Sequence, residues 1–207
     1  MHATTTPVAL QRRVPAEEAA RADFYALLAR LFHAPADGPL LASLASAPEL
    51  GGDGALDRAW RELCLASRAM DADAARDEYE ALFVGVGKAA VSIYAGYYAG
   101  APAGDHPRVR LQRDMAALGL AAREDNAEPE DHFAALFDVM RVAVGGGAGR
   151  GPASLEEQRR FFEGHVAPAA GPFFAALQSA QDANYYRKVA RLGAAFLELE
   201  QQGFELD

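Results

Sequence analysis

The chain is short of cysteine, short of positive charge and without a long apolar run. Cys64 is the single cysteine among 207 residues, so neither an internal disulfide framework nor a CxxC metal knuckle can form, and a reducing compartment is the natural setting. Lys and Arg number 20 against 29 Asp and Glu, a net charge of −9. Nucleic-acid binders draw much of their affinity from neutralising phosphates with basic side chains, and this balance argues against that class. It suits a basic partner, or solubility alone. The least charged stretch, residues 89–104, falls short of the roughly 20 apolar residues that span a bilayer, so no membrane insertion is expected. Arg12-Arg13 is followed by Pro15, Glu17 and Glu18 where the apolar core of an export signal would begin, so the pair reads as a basic flank before a helix. A cytoplasmic protein is the expectation.

What is present is a globular composition, 51% apolar and 24% charged, with helical periodicity almost throughout. Pro15 suits a first helical position, and Phe24, Leu27, Leu28 and Leu31 form a stripe that ends before Pro35, Gly38 and Pro39. Short helices are expected over about 40–47 and 54–69, and another over 73–84 that buries Tyr79, Leu82 and Phe83. Residues 91–98 restart as a helix in this reading. One over about 106–119 offers Val109, Leu111, Met115 and Leu118 to the core. The acidic stretch 123–126 reads as an exposed link. The next helix opens near Pro129 with the stripe Phe133, Leu136, Phe137, Met140 and Val144, and the glycine-rich run 145–151 reads as a flexible connector. Ser154 and Glu157 have capping-box spacing ahead of a helix bearing Phe161 and Phe162. In the last helix Tyr185, Val189, Leu192, Phe196 and Leu199 recur by four and three. No period-two alternation and no internal repeat is visible. The expected fold is all-α, divided by the 123–126 link and the glycine connector into a larger N-terminal part, 1–122, and a C-terminal helical part, 123–207.

Catalytic chemistry finds little support. Around Gly85-Val86-Gly87-Lys88 a phosphate loop would need Gly where Leu82 stands and Ser or Thr where Ala89 stands. Glu128 and His132 are four apart, as in carboxylate–histidine metal pairs, but no other segment repeats the arrangement. The helix macrodipole alone accounts for an acidic helix start such as Glu128, Glu130 and Asp131. Cys64 sits between Leu63 and Leu65 as a buried thiol would, and there is no G-x-S-x-G elbow. No enzyme, cofactor or metal site is expected. Glu128-Pro129-Glu130-Asp131-His132 nevertheless holds more acid and imidazole than one helix cap needs, and reads equally as a cap or a recognition element.

Three segments carry a resemblance. They are Tyr79-Glu80-Ala81-Leu82-Phe83-Val84-Gly85-Val86-Gly87-Lys88 with the aromatic stretch Tyr94 to Tyr98; the E-x-x-D-H segment from Glu128 to His132, with Phe133, Leu136 and Met140; and Phe161-Phe162-Glu163-Gly164-His165 through Pro168, with Phe173-Phe174, Tyr185-Tyr186 and Phe196 to Glu200. In this order, across about residues 20–204, they resemble the TorD/DmsD/NarJ family of chaperones that mature molybdenum-containing redox enzymes. Ala89, where many relatives have proline, and Ala169-Ala170, near a usual aromatic, depart from the pattern.

The resemblance implies a chaperone built as a helical bundle of two subdomains joined by a hinge, with the E-x-x-D-H segment close to that hinge. It would bind the N-terminal leader, of twin-arginine type, and the immature catalytic subunit of a molybdoenzyme, and hold it until the cofactor is inserted. Glu128, Asp131 and His132 would contact the leader or fix the hinge. Tyr79, Phe83, Gly87, Lys88, Tyr94 and Tyr98 would shape a groove, with Phe162 and His165 as a second patch. For Tyr79 and Phe83 core packing is the competing role, and for His165 a helix-end contact. The Gly-Val-Gly-Lys form points toward a formate-dehydrogenase-type client. A guanine-nucleotide switch or hydrolase of the same fold and a leader-independent helical adaptor are the alternatives. Monomer and segment-swapped dimer are both open.

Overall fold

The computed structural model describes residues 15–85, 89–100, 107–121, 129–147 and 149–206. Helix α1, Ala16–His33, starts one position beyond the expected place, with Pro15 at the cap and Glu17 and Glu18 in the first turn. It buries Tyr25, Leu28, Leu31 and Phe32, so the core stripe is rotated from the expected one and leaves Phe24 and Leu27 half-buried. Asp37 caps α2, Gly38–Ala45, accepting from the Leu40 amide at 2.9 Å. Helix α3 is Ala55–Ala69. Asp71 caps α4, Ala72–Tyr79, which widens into a π turn over Glu80–Val84. Gly85, at φ +62°, stops that turn in a conformation that a side chain would oppose.

After Gly85 the structure departs from the sequence reading. Residues 91–94 are extended rather than helical, and only a short 3-10 turn, Ala95–Tyr97, follows. The helical reading fails because this backbone finds its partner elsewhere: Tyr94 and His132 form an antiparallel bridge. Helix α5, Pro107–Ala117, buries Leu111 and Met115 but leaves the core candidate Val109 57% exposed. Helix α6, Phe133–Gly145, is the most buried, with Phe133, Phe137, Met140 and Val144 all inaccessible.

The described residues of the glycine connector are tied down by hydrogen bonds. Gly147 and Arg150 exchange backbone hydrogen bonds at 3.1 and 3.0 Å, and the Ala153 amide donates to the Ala143 carbonyl at 2.8 Å. The capping box of Ser154 and Glu157 opens α7, Leu155–Phe161, which runs through a π turn, Phe162–Val166, into α8, Ala167–Ser179. Helix α9, Tyr185–Leu206, ends the described chain, and Leu199 faces solvent there instead of extending the seam.

The fold is all-α; among the described residues, extended backbone pairs only at two isolated bridges. Helix α1 lies along α6, and α9 lies between α3 and α8. One continuous apolar cluster runs through all of these. Buried and half-buried polar groups then fix which helix meets which. Arg21 grips Glu200 through Nε and Nη2 at 2.7 and 2.8 Å, and the Tyr25 hydroxyl donates to the same carboxylate at 2.9 Å. This joins α1 to α9. Glu78, from α4, accepts from the amides of Asn184, Tyr185 and Tyr186 at 2.8, 3.0 and 2.8 Å, putting an anion on the positive end of α9.

Gly193 is where α9 touches α8. A Cβ there would lie 2.3 Å from the Phe174 ring, which is itself buried and packed against Phe32, Phe137 and Phe173. In an exposed helix Gly→Ala would gain about 1 kcal/mol, but overpacking a tight core costs about 1–3 kcal/mol. We expect Gly193→Ala to lower stability, read as a lower urea midpoint by circular dichroism; an unchanged or raised midpoint would show that the Phe174 ring yields.

Candidate functional site

The site grows from residues 130–133. The Phe133 amide donates to the Ile93 carbonyl at 3.0 Å and the Ala95 amide to the Asp131 carbonyl at 2.8 Å. The Asp131 side chain adds an Oδ2 acceptor for the Gly96 amide at 3.2 Å. Three hydrogen bonds thus pin the 93–96 backbone beside the start of α6. His132, 3% exposed, is the N-cap of α6, and its Nδ1 accepts from the Ala134 amide at 3.1 Å. An accepting Nδ1 carries no proton, so the cap selects the tautomer with its proton on Nε2. The Tyr94 ring stands edge-on to the imidazole at 5.4 Å.

Glu130 does not serve the α6 dipole as the sequence suggested. Its two oxygens accept from Arg108 Nε and Gln112 Nε2 of α5, both at 2.8 Å. The Gln112 hydrogen bond and the residue's own amide, then Arg108, hold the carboxyl below the usual glutamate range. Consecutive residues therefore reach three places: Glu130 to α5, Asp131 to the aromatic turn, His132 to α6.

Beside this junction opens a cavity of about 350 Å³ lined by Phe83, Ile93, Tyr94, Tyr97, Tyr98 and Ala176, among others. Tyr97 is 68% exposed at its mouth and packs edge-on against Tyr98 at 4.9 Å. The Tyr98 hydroxyl donates to the Ser92 carbonyl at 2.9 Å, and burial pushes its pKa up to about 12. Phe83 reaches the cavity from the core, where it meets Tyr79 and Tyr186 at 5.0 and 5.3 Å.

Of the residues singled out in the sequence, Phe83, Tyr94, Tyr98, Asp131 and His132 converge here. Tyr79 stands behind Phe83, and its hydroxyl donates to the Phe32 carbonyl at 2.9 Å, closing the end of α1. Phe162 and His165 do not form one patch. Phe162 turns inward onto Phe204 at 5.2 Å, while His165 lies against Phe161 at 4.9 Å and bonds Asp114 Oδ2 through Nε2 at 2.8 Å. The π turn rotates neighbouring side chains apart, which spacing alone does not reveal. Glu128, Gly87 and Lys88 lie outside the described residues. Tyr97 falls inside the aromatic stretch already noted, whereas Ala176 on α8 carries no local signal at all.

The family model for the nitrate reductase delta subunit matches residues 51–175, a span that holds the aromatic turn, the 130–132 junction and α6. The chain belongs to that family. It is a family of molybdoenzyme maturation chaperones of the NarJ and TorD kind. No curated protein matches the sequence. No helix among the described residues is long and apolar enough to cross a membrane, and among the same residues no three His, Cys, Asp or Glu side chains converge as a metal set.

Two outcomes are expected. His132→Ala removes the α6 cap and should cost about 1 kcal/mol, with His132→Asn restoring most of it; equal urea midpoints for the two variants would show that the ring, not the cap, matters. Burial lowers the His165 pKa below 6.5 despite the pull of Asp114, with Arg110 and Arg113 adding to the fall. Burial also pushes Asp114 up, but hydrogen bonds from His165 and Arg113 outweigh it and hold that carboxyl below 3.8. Both depressed values act in the same direction: stability is full above pH 6.5, declines as pH falls through the folded His165 value, and declines again below 3.8. His165→Gln should flatten the first decline, measured as urea midpoints between pH 7.5 and 5.5, and an unflattened profile would assign it to other groups.

Proposed function

We propose that this chain is a cytoplasmic chaperone that binds the N-terminal leader of a molybdoenzyme's immature catalytic subunit. Bound, it assists cofactor insertion and holds back export or assembly until insertion is done. The family match over residues 51–175 carries the reading. The aromatic cavity supplies a fitting receptor: an apolar helical segment lies against Phe83, Ile93, Tyr97 and Tyr98, rigid rings that give large contact area at low entropic cost. A net charge of −9 favours a leader bearing arginines, which gain charge-assisted hydrogen bonds to carboxylates. Asp131 and His132 hold the wall of that cavity, Asp131 through hydrogen bonds to Ala95 and Gly96 and His132 through its bridge to Tyr94. The Gly85-Val86-Gly87-Lys88 form makes a formate-dehydrogenase-type enzyme the client of choice.

The test starts with affinity capture from the native host and identification of bound chains by mass spectrometry, which should return a molybdoenzyme catalytic subunit. Its leader, as a labelled peptide, should bind the purified chain and bind Tyr97→Ala at least about tenfold more weakly, a loss of about 1.4 kcal/mol typical of an interface tyrosine. Equal affinity in the variant would remove Tyr97 from the site. A client captured equally well without its leader would make the chain a leader-independent adaptor, and guanine nucleotide turnover would make it a switch.

A further inference from the structure

Glu130 is a shielded carboxylate with an exposed partner. Its side chain is 10% accessible, whereas that of Arg108 is 56% accessible. The pair therefore joins a fixed acid to a guanidinium that water already surrounds. Each Glu130 oxygen takes one donor, Oε2 from Arg108 and Oε1 from Gln112, one turn apart on α5. A single guanidinium offers two parallel N–H groups in the spacing of a carboxylate, so one incoming arginine satisfies both oxygens at once.

Helix α5 is the element best suited to yield. Only Leu111 and Met115 of its eleven residues are buried, against eight of thirteen in α6. Much of its remaining attachment is polar and partly wet: Arg110 to the Gly164 carbonyl at 3.2 Å, Asp114 to His165 at 2.8 Å, and Arg150 to the Leu118 carbonyl. Elements with few buried apolar contacts open locally at low cost. Glu130 also adjoins Asp131, whose carboxylate holds Gly96 at the aromatic turn.

We propose that α5 is a built-in competitor for the partner's arginine: Arg108 and Gln112 occupy Glu130 in the resting chain, and an arginine ahead of an apolar segment displaces them as that segment enters the aromatic cavity. This rests on the leader-binding reading and adds to it the acid that reads the arginine and the helix that guards it.

The probe is a fluorescein-labelled peptide with two adjacent arginines ahead of a leucine/alanine run, and its twin with lysines in their place. Fluorescence anisotropy with the full chain compares wild type, the double variant Arg108→Ala/Gln112→Ala, and Glu130→Gln. The double variant should bind the arginine peptide about tenfold more tightly, the worth of one partly exposed ion pair with its companion hydrogen bond. Glu130→Gln should lose the preference for arginine over lysine. Hydrogen exchange of the wild-type chain should quicken over residues 107–117 when peptide binds, with α9 unchanged. If the arginine peptide binds wild type and double variant alike and α5 exchange stays constant, the competitor role is overturned while leader binding stands. Wild-type chain that binds the lysine peptide as tightly as the arginine peptide overturns the guanidinium-reading role of Glu130. Absence of binding to wild type and double variant overturns both the competitor role and the leader-binding reading.

Discussion

The pairing of residues 93–96 with 131–133 holds the site together. Two backbone hydrogen bonds and one from the Gly96 amide to the Asp131 carboxylate fix a segment that has no regular helix of its own beyond one 3-10 turn. Without them the aromatic turn would have no register against α6. With them the Tyr98 ring sits over Phe133 and Phe173 at 6.2 and 5.8 Å, and one wall of the cavity becomes part of the core. Residues 130–132 anchor α5, hold the aromatic turn and cap α6, so anything that loosens the segment acts on all three neighbours.

Around this junction the bundle is specified by buried and half-buried polar ties between distant parts of the chain. Glu200 takes three donors from Arg21 and Tyr25, Glu78 takes three amides at the head of α9, and Tyr79 and Tyr186 donate to the Phe32 and Leu31 carbonyls at the end of α1. A buried ion pair adds little net stability over an apolar replacement, but losing one partner costs about 3–5 kcal/mol. Alternative helix arrangements would orphan such groups. These ties therefore select one packing among the many that apolar stripes alone would allow.

Helix existence and type were largely legible in the sequence because burial imprints a 3.6-residue period. The α6 stripe, the Ser154–Glu157 box and the course of α9 could all be read directly. Residues 91–98 misled for a physical reason: Ile93, Tyr94 and Tyr98 suit a helix stripe as well as a strand, and the deciding hydrogen bonds come from about 40 positions away in the chain. Val109 and Leu199 looked like core residues by spacing, yet each is left exposed on the flank of its helix. Within the site, the E-x-x-D-H segment and the aromatic stretch stood out as unusual, while the division of labour among Glu130, Asp131 and His132 did not. Their identical local context gives each the same propensity, and only their distant partners separate them.

The sequence by itself determined an all-helical chain, acidic, with one cysteine, and a motif set specific enough to place it among molybdoenzyme maturation chaperones. The helices, the charge and the lone cysteine follow from composition and local periodicity, which each residue carries wherever the chain goes; the placement follows from the resemblance of its motifs to a known family. Tertiary structure alone decided that Tyr97 and Ala176 join Phe83 and Tyr94 in one cavity, that Phe162 and His165 part company, and that Glu130 is held by α5. Those are contacts between segments far apart in the chain, fixed by packing and hydrogen-bond satisfaction over the whole bundle, and no local pattern encodes them.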